Sequence, residues 1–154
     1  MEASEYGGIE MTDVAEQIGL VAFALSAVLV LRGHEVDVVG IVALGVVTAI
    51  GGGTVRDLLL EEPVFWVADP SNLLVPAVAA LVGFALSGLV TRARRAIELL
   101  DGLGLAVFSV AGAAIALEAG ARPVIGVILG VITATAGGAL RDVLAHQQGR
   151  PIGE

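Results

Sequence analysis

The sequence predicts an all-α integral membrane protein with about five transmembrane helices, built as an inverted repeat of three-helix units. The 154 residues are 56% hydrophobic and only 16% charged. The mean hydropathy of +0.92 is too high for a water-soluble domain. Five apolar stretches have about the length of roughly 20 residues that a helix needs to cross a bilayer. A glycine-rich motif with two charged residues also occurs twice, which predicts the repeat.

The composition excludes several classes of function. Without cysteine and with only two histidines, the chain has no means of forming disulfides, thiolate sites or histidine-rich metal sites. A net charge of −8 argues against nucleic acid as a partner. No nucleophile, base and orienting group recur at usable spacing. We therefore expect that the protein is not an enzyme and that it binds no cofactor and no metal ion. The acidic, lysine-free composition also suggests a halophilic source.

The predicted elements follow in order along the chain. Residues 1–13 are acidic and lack the basic region of a signal peptide, so we expect the first apolar segment to be retained. A first three-helix repeat is expected over residues 14–91 and a second over residues 97–154. The five predicted spans cover residues 14–31, 36–60, 73–90, 99–117 and 124–144.

The distribution of arginine predicts which side of the membrane each end occupies. Cytoplasmic loops collect positive charge. If the N-terminus lies outside, only Arg56 and Arg122 are on the outer side. We therefore predict a multi-pass protein of the cytoplasmic membrane, with segment 1–13 extracellular and these arginines inside: Arg32, Arg92, Arg94, Arg95, Arg141 and Arg150.

The connection between the second and third spans, residues 61–72, contains two prolines and the aromatic pair Phe65 and Trp66. This composition is typical of a turn at headgroup level with an aromatic anchor. A gating role is the alternative.

The internal repeat has an offset of 85 residues. Laid over residues 124–144, residues 39–59 are identical at twelve of twenty-one positions. The same offset pairs Phe23 with Phe108 and Glu16 with Asp101. It spans three helices, so the second copy must enter the membrane in the opposite direction. The counterpart of the third span would lie beyond residue 154, and we therefore expect the second repeat to be incomplete, with two helices.

Consecutive glycines predict a kink or a break in the second span and in the fifth. Gly51, Gly52 and Gly53 stand late in the second span, and Gly137 and Gly138 at the equivalent place in the fifth. Backbone groups freed at membrane depth must be satisfied by protein or by water in a cavity, which favours a transport path. Close helix packing is the alternative. The hydroxyls predicted to line this path, or else to bond to carbonyls of their own helices, are Ser26, Thr48, Thr54, Ser109, Thr133 and Thr135.

Charged residues recur in register beside these glycines. Arg56 and Asp57 match Arg141 and Asp142. Charges within apolar spans are costly, so we predict that each arginine pairs with an acidic residue, and pairing with Asp142 or Asp57 across the repeat axis is one such arrangement. Snorkelling to water is the alternative. Asp101 is a further candidate partner, with electrostatic capping of the fourth span as its simpler interpretation.

Four stretches resemble a known family: GLVAFALSA from Gly19, VVGIVALGVVTAIGGGTVRDLLL from Val38, PVFW from Pro63 and DGLGLAVFSVAGA from Asp101. They are similar to the prokaryotic trimeric intracellular cation (TRIC) channel family, whose domain is also described as a bacterial glycine transporter. The resemblance covers about residues 16–145. It implies a seven-helix fold of two inverted three-helix repeats plus a final helix, assembled as a homotrimer with one pore per subunit. The sixth and seventh helices have no counterpart in this sequence.

Three functions remain open at this point. The leading hypothesis is a channel for monovalent cations, mainly potassium, beside the glycine-rich segments. The alternative is a carrier of glycine or another small amino acid, held by the end of a broken helix. The second alternative is a truncated or accessory subunit without independent transport. The expected partners are the lipid bilayer, the transported cation or amino acid, and two further copies of the chain.

Overall fold

The computed structural model describes residues 3–32 and 36–148, and all regular structure in these ranges is helical. This confirms the predicted fold class. A 3₁₀ turn at Ser87–Leu89 extends the fourth helix. Residues 3–32 and 36–148 form six α-helices, which are α1 Ala3–Val30, α2 Val38–Leu60, α3 Phe65–Ala68, α4 Ser71–Leu86, α5 Ala93–Glu118 and α6 Pro123–Gln148.

Among the described residues, five helices are long and apolar enough to cross a membrane, as predicted. The helices start earlier than the apolar pattern at two places. Helix α1 begins at Ala3, within the acidic segment, and α5 begins at Ala93, within an arginine-rich run. The spanning parts are Thr12–Val30, Val38–Leu60, Ser71–Leu89, Ala93–Glu118 and Pro123–His146.

Local chemistry explains where the helices begin and end. The Asp37 carboxylate accepts a hydrogen bond of 2.9 Å from the Gly40 amide and caps α2. Helix α2 ends at Leu60 and is followed by Glu61, whose φ of 58° is left-handed. Gly120, with φ of 86°, follows α5. Pro123 is the first residue of α6. An amide at this position has no hydrogen-bond partner within the helix, so the missing amide proton of proline costs nothing. Before α4, hydrogen bonds from Ser71 lower the pKa of the Asp69 carboxyl.

The packing reflects the inverted repeat. Helix α1 contacts α2, α4 and α5, while α6 packs against α2 and α5. Phe23 of α1 and Phe108 of α5 contact each other with ring centroids 5.4 Å apart. Each ring lies over a glycine of the facing helix, Phe108 over Gly19 and Phe23 over Gly104. All four residues are related by the 85-residue offset, so the α1–α5 contact is symmetric in sequence and in space.

Of the kink or break predicted at the glycines, the break is wrong. Helix α2 runs without interruption through Gly51, Gly52 and Gly53, and α6 through Gly137 and Gly138. The glycines instead allow the two helices to cross closely, which was the alternative interpretation.

At the α2–α6 crossing, each helix makes the same kind of contact with the other. A Cβ at Gly52 would overlap the carbonyl oxygen of Thr133, and a Cβ at Gly137 would overlap the carbonyl oxygen of Thr48. Thr48 and Thr133 are themselves counterparts at the 85-residue offset. The crossing therefore lies on the pseudo-twofold axis of the repeat.

Candidate functional site

Arg56 is the centre of the first charged cluster, which consists of Glu16, Arg56 and Asp57. Its Nη1 atom lies 2.5 Å from Oε1 of Glu16, and its Nε donates to Oδ1 of Asp57 at 2.7 Å. Arg56 lies within a spanning helix, and only 1% of its surface is exposed. Two carboxylates compensate the buried guanidinium, as a charge away from water requires.

The connection after α2 covers this cluster. The Phe65 amide donates to Oδ2 of Asp57 at 2.9 Å, and the Phe65 ring centroid lies 5.8 Å from the Arg56 guanidinium carbon. Trp66 Nε1 donates to Oγ1 of Thr54 at 2.9 Å. The predicted turn therefore contains α3 and directs its aromatic residues onto α2.

Arg141 is the centre of the second charged cluster, which consists of Asp101, Arg141 and Asp142. Its Nη1 lies 2.6 Å from Oδ1 of Asp101, and its Nε donates to Oδ1 of Asp142 at 2.9 Å. Nη1 also donates to Oγ of Ser26 at 2.5 Å, and that hydroxyl donates to Oδ1 of Asp101 at 2.6 Å. Ser26 belongs to the first repeat, so it links the two halves.

These clusters correct two sequence predictions. The arginines do pair with carboxylates, but each pair lies within one repeat, so pairing across the axis is wrong. Helix packing brings α1 against α2 and α5 against α6, which places Glu16 at Arg56 and Asp101 at Arg141. Asp101 lies two turns inside α5 and binds Arg141, so the capping interpretation is also wrong.

The two clusters differ in what occupies the space beside them. In the first repeat, a Cβ at Gly53 would come within 2.6 Å of the Phe65 ring. At its counterpart Gly138, no described atom lies within 4 Å of such a Cβ. A cavity of about 190 Å³ lies there, lined by Phe23, Asp101, Leu105, Ala134, Thr135, Gly138, Ala139, Arg141 and Asp142.

The remaining predicted hydroxyls mostly bond to carbonyls of their own helices. Thr54, Ser109, Thr133 and Thr135 each donate to the carbonyl four residues earlier. Thr48 is fully buried, and its hydroxyl has no hydrogen-bond partner within the described residues. Of the whole set, only Thr135 also lines the cavity beside the second cluster. Gly51 faces Leu140 rather than a polar path.

The chemistry of both clusters favours positive ions. Each contains two carboxylates for one guanidinium, so each has a formal charge of −1. The second cluster is the more accessible, because the Asp142 side chain is 66% exposed and that of Asp57 only 5%. A negative group beside a cavity attracts cations and repels anions.

Comparison with known proteins identifies the family. The sequence matches the family described as "Glycine transporter" over residues 13–88 and 98–152. The chain belongs to this family. Both charged clusters and both glycine segments lie within the matched residues.

Curated relatives in the Glycine transporter family are membrane proteins. The UPF0126 inner membrane protein YadS of Escherichia coli strain K12 is 44% identical over 135 residues, which cover 84% of this chain and 64% of YadS. A UPF0126 membrane protein of Deinococcus radiodurans is 36% identical, covering 84% of this chain and 61% of the relative. The chain thus spans less than two thirds of these relatives, and it is itself a multi-pass membrane protein.

Solved structures share the fold of this family member. A protein described as the TRIC trimeric intracellular cation channel orthologue from Rhodobacter sphaeroides superposes with a TM-score of 0.84 at 42% identity, covering 92% of this chain and 72% of that one. The crystal structure of a prokaryotic TRIC channel in 0.5 M KCl superposes with a TM-score of 0.83 at 28% identity. The match covers 89% of this chain and 71% of that one. The resemblance expected from the sequence is therefore confirmed.

Sequence reasoning missed two residues of the site in this family member. Glu16 is the counterpart of Asp101 at the 85-residue offset, but it is not among the partners that the sequence predicts for Arg56. The offset supplied the signal, because Glu16–Arg56 and Asp101–Arg141 are both separated by 40 residues. Phe65 carried no comparable signal, since its contacts with Asp57 and Arg56 depend on how the chain folds back after α2.

Replacing Ser26 by alanine is expected to destabilise the protein by about 1–3 kcal/mol, because the change removes a buried hydroxyl that both accepts from Arg141 and donates to Asp101. Thermal unfolding in detergent, followed by the fluorescence of Trp66, measures the effect. Ser109→Ala is the matched control, since within the described residues that hydroxyl bonds only to a carbonyl of its own helix. Equal melting temperatures for the two variants would contradict a stabilising role of Ser26 in the second cluster.

Proposed function

We propose that this chain forms a channel for monovalent cations, with potassium as the main ion, and that it works as a homotrimer in the cell membrane with its N-terminus outside. One observation carries the proposal: 92% of the chain shares its fold, at 42% identity, with a protein described as a trimeric cation channel. The arginine distribution supports the orientation.

The charged clusters support cation selectivity. Both have a formal charge of −1 and lie among spanning helices, where charges act through a low dielectric. We place the conduction path beside α2 and α6, next to the cavity at the second cluster. Asp101, Thr135 and Asp142 line that cavity beside Gly138 and supply carboxylate and hydroxyl oxygens, which are suitable ligands for a partly dehydrated cation.

A carrier of glycine or another small amino acid is the second candidate. The description of the family favours it. The cavity of about 190 Å³ places a guanidinium beside two carboxylates, and such a set can bind both the carboxylate and the ammonium of a zwitterion. Both candidates use the same residues, so transport measurements must separate them.

The experiment is electrical recording from the purified chain in planar bilayers under a potassium chloride gradient. A channel gives unitary currents whose reversal potential follows potassium. A carrier gives no unitary current but saturable glycine uptake into vesicles. If folded, inserted protein does neither, the third interpretation applies, in which the chain is an accessory or truncated subunit. Currents that return on coexpression with a full-length relative would support that interpretation and overturn the proposal.

Replacing Asp142 by asparagine is expected to lower the potassium-to-chloride permeability ratio roughly threefold to fivefold in dilute salt. One unit charge about 4 Å away contributes about 1 kcal/mol of attraction in water. The effect should shrink in 1 M salt, where the screening length is about 3 Å. Reversal potentials at both salt concentrations measure it.

Glu118→Gln is the control, because it neutralises an exposed carboxylate at the far end of α5. An unchanged ratio in the Asp142 variant would place the conduction path elsewhere.

A further inference from the structure

The cavity at the second cluster has a counterpart in the first repeat. Each residue that lines the cavity has a partner 85 positions away, and charged residues are matched with charged residues. The pseudo-twofold axis therefore predicts a pocket of similar lining beside the first cluster. The residues that would line this pocket are Glu16, Leu20, Ala49, Ile50, Gly53, Thr54, Arg56, Asp57 and Phe108.

Phe65 fills the place of this second pocket. Its ring lies against Gly53, at the position where the second repeat leaves space beside Gly138. It also faces the Arg56 guanidinium. The ring packs against a buried core cluster that contains three further residues of the predicted lining, which are Leu20, Ala49 and Phe108. Ile50 packs against the same cluster.

Two hydrogen bonds hold Phe65 and Trp66 on α2. The Phe65 amide donates to Oδ2 of Asp57, and Trp66 Nε1 donates to Oγ1 of Thr54, both at 2.9 Å. The residue that corresponds to Thr54 in the second repeat is Ala139, which has no hydroxyl. The acceptor for Trp66 is therefore a feature of the first repeat alone.

Helix α3 can leave this position without disturbing a spanning helix. It has only four residues, and none of them is fully buried. Before it, the chain reverses at Glu61, whose φ is 58°, and Pro63 and Pro70 stand on either side of it. Segments with little buried surface open locally at a low free-energy cost.

We propose that α3 is a displaceable cover over a second cation site at the first cluster, and that the Trp66–Thr54 hydrogen bond is its latch. Displacement of the Phe65 ring opens the pocket and frees Oδ2 of Asp57 from its amide donor. Since the first cluster has a formal charge of −1, the opened pocket binds a hydrated monovalent cation rather than an anion. The identity of the ligand rests on the proposed function, whereas the cover does not.

The test is the rate at which engineered cysteines react with thiol reagents in detergent, since the chain has no cysteine of its own. Thr135→Cys reports on the open cavity. Ile50→Cys is its counterpart beside the first cluster. With ethylammonium methanethiosulfonate, Ile50→Cys is expected to react much more slowly than Thr135→Cys, because the cover keeps the reagent out.

Two further changes should expose the Ile50→Cys thiol. Trp66→Phe keeps an aromatic ring but removes the donor of the latch, and it should speed the reaction about fivefold, which corresponds to about 1 kcal/mol for one hydrogen bond. Phe65→Ala should bring the rate to that of the open cavity. Val67→Ala is the matched control on the same helix, because Val67 is 62% exposed, and it should leave the rate unchanged.

The charge of the reagent tests the ligand. In the Phe65→Ala background, the ethylammonium reagent should modify Ile50→Cys faster than the ethylsulfonate reagent, when each rate is divided by the rate with free cysteine. An unchanged rate at Thr135→Cys in every background, together with melting followed by circular dichroism, establishes that the variants fold.

Three results would overturn the proposal. In the first, Ile50→Cys reacts as fast as Thr135→Cys in the otherwise unaltered chain. In the second, Trp66→Phe and Phe65→Ala change the rate no more than Val67→Ala does. In the third, the anionic reagent enters the opened pocket as readily as the cationic one. Labelling does not require conduction, so a protein with the expected rates and no potassium current would contradict the proposed function and still support the cover.

Discussion

Replacing Arg56 by methionine is expected to lower the free energy of unfolding by about 3–5 kcal/mol, the largest effect of any single charge change in this protein. Methionine keeps much of the side-chain volume but leaves the carboxylates of Glu16 and Asp57 buried without their cation. Breaking a buried pair by removing one partner leaves an uncompensated charge, which costs far more than a surface pair contributes. Unfolding in a denaturing detergent, followed by Trp66 fluorescence, measures it.

Three further variants control this prediction. Arg141→Met should cost less, because the Asp142 side chain is 66% exposed and remains solvated. Arg94→Met, which removes an exposed pair, should change stability by less than about 0.5 kcal/mol. Adding Glu16→Gln to Arg56→Met should recover part of the loss. An Arg56→Met protein as stable as the Arg94 variant would mean that the first cluster contributes nothing to the fold.

Replacing Gly52 by alanine is expected to destabilise the protein by about 3 kcal/mol, near the upper end for a small-to-large change. The new methyl group would overlap the Thr133 carbonyl oxygen, a backbone atom that cannot rotate away. Helices α2 and α6 must then separate along the crossing. Gly137→Ala should behave alike, because it meets the Thr48 carbonyl in the same way.

Gly138→Ala is the matched control for these glycine variants. It lies next to Gly137 in the same helix, but no described atom lies within 4 Å of its added Cβ. Alanine is favoured over glycine inside a helix, so this variant should be more stable by about 0.5–1 kcal/mol. Melting temperatures of the three proteins in one detergent make the comparison. Equal melting temperatures would contradict the close crossing.

Much of the fold could be predicted from the sequence because bilayer crossing and duplication both leave clear patterns. Apolar length predicted the five spans, and the offset predicted which residues correspond. The offset could not predict which counterparts touch. The repeat is compatible with Arg56 facing either Asp142 or Glu16. The packing of α1 on α2 is what brings Glu16 to Arg56.

The glycine segments could not be interpreted from sequence for a different reason. A helix break and a close helix crossing both require a residue without a Cβ, so Gly52 and Gly137 fit either structure. The crossing depends on the facing carbonyls of Thr133 and Thr48, which any residue type would supply. The start of α5 was missed because its first turns are polar and precede the apolar pattern.

The Phe65 ring has a consequence for direction. A duplicated protein with opposed halves would, by symmetry, present the same surface to both sides of a membrane. In this chain the ring stands beside Gly53 and Arg56, while the corresponding space beside Gly138 is free of described atoms. One aromatic side chain thus makes the two sides unequal. If the chain conducts cations as proposed, an ion that enters from one side meets a different first barrier from an ion that enters from the other. We therefore expect the proposed channel to rectify, even though its scaffold is nearly symmetric.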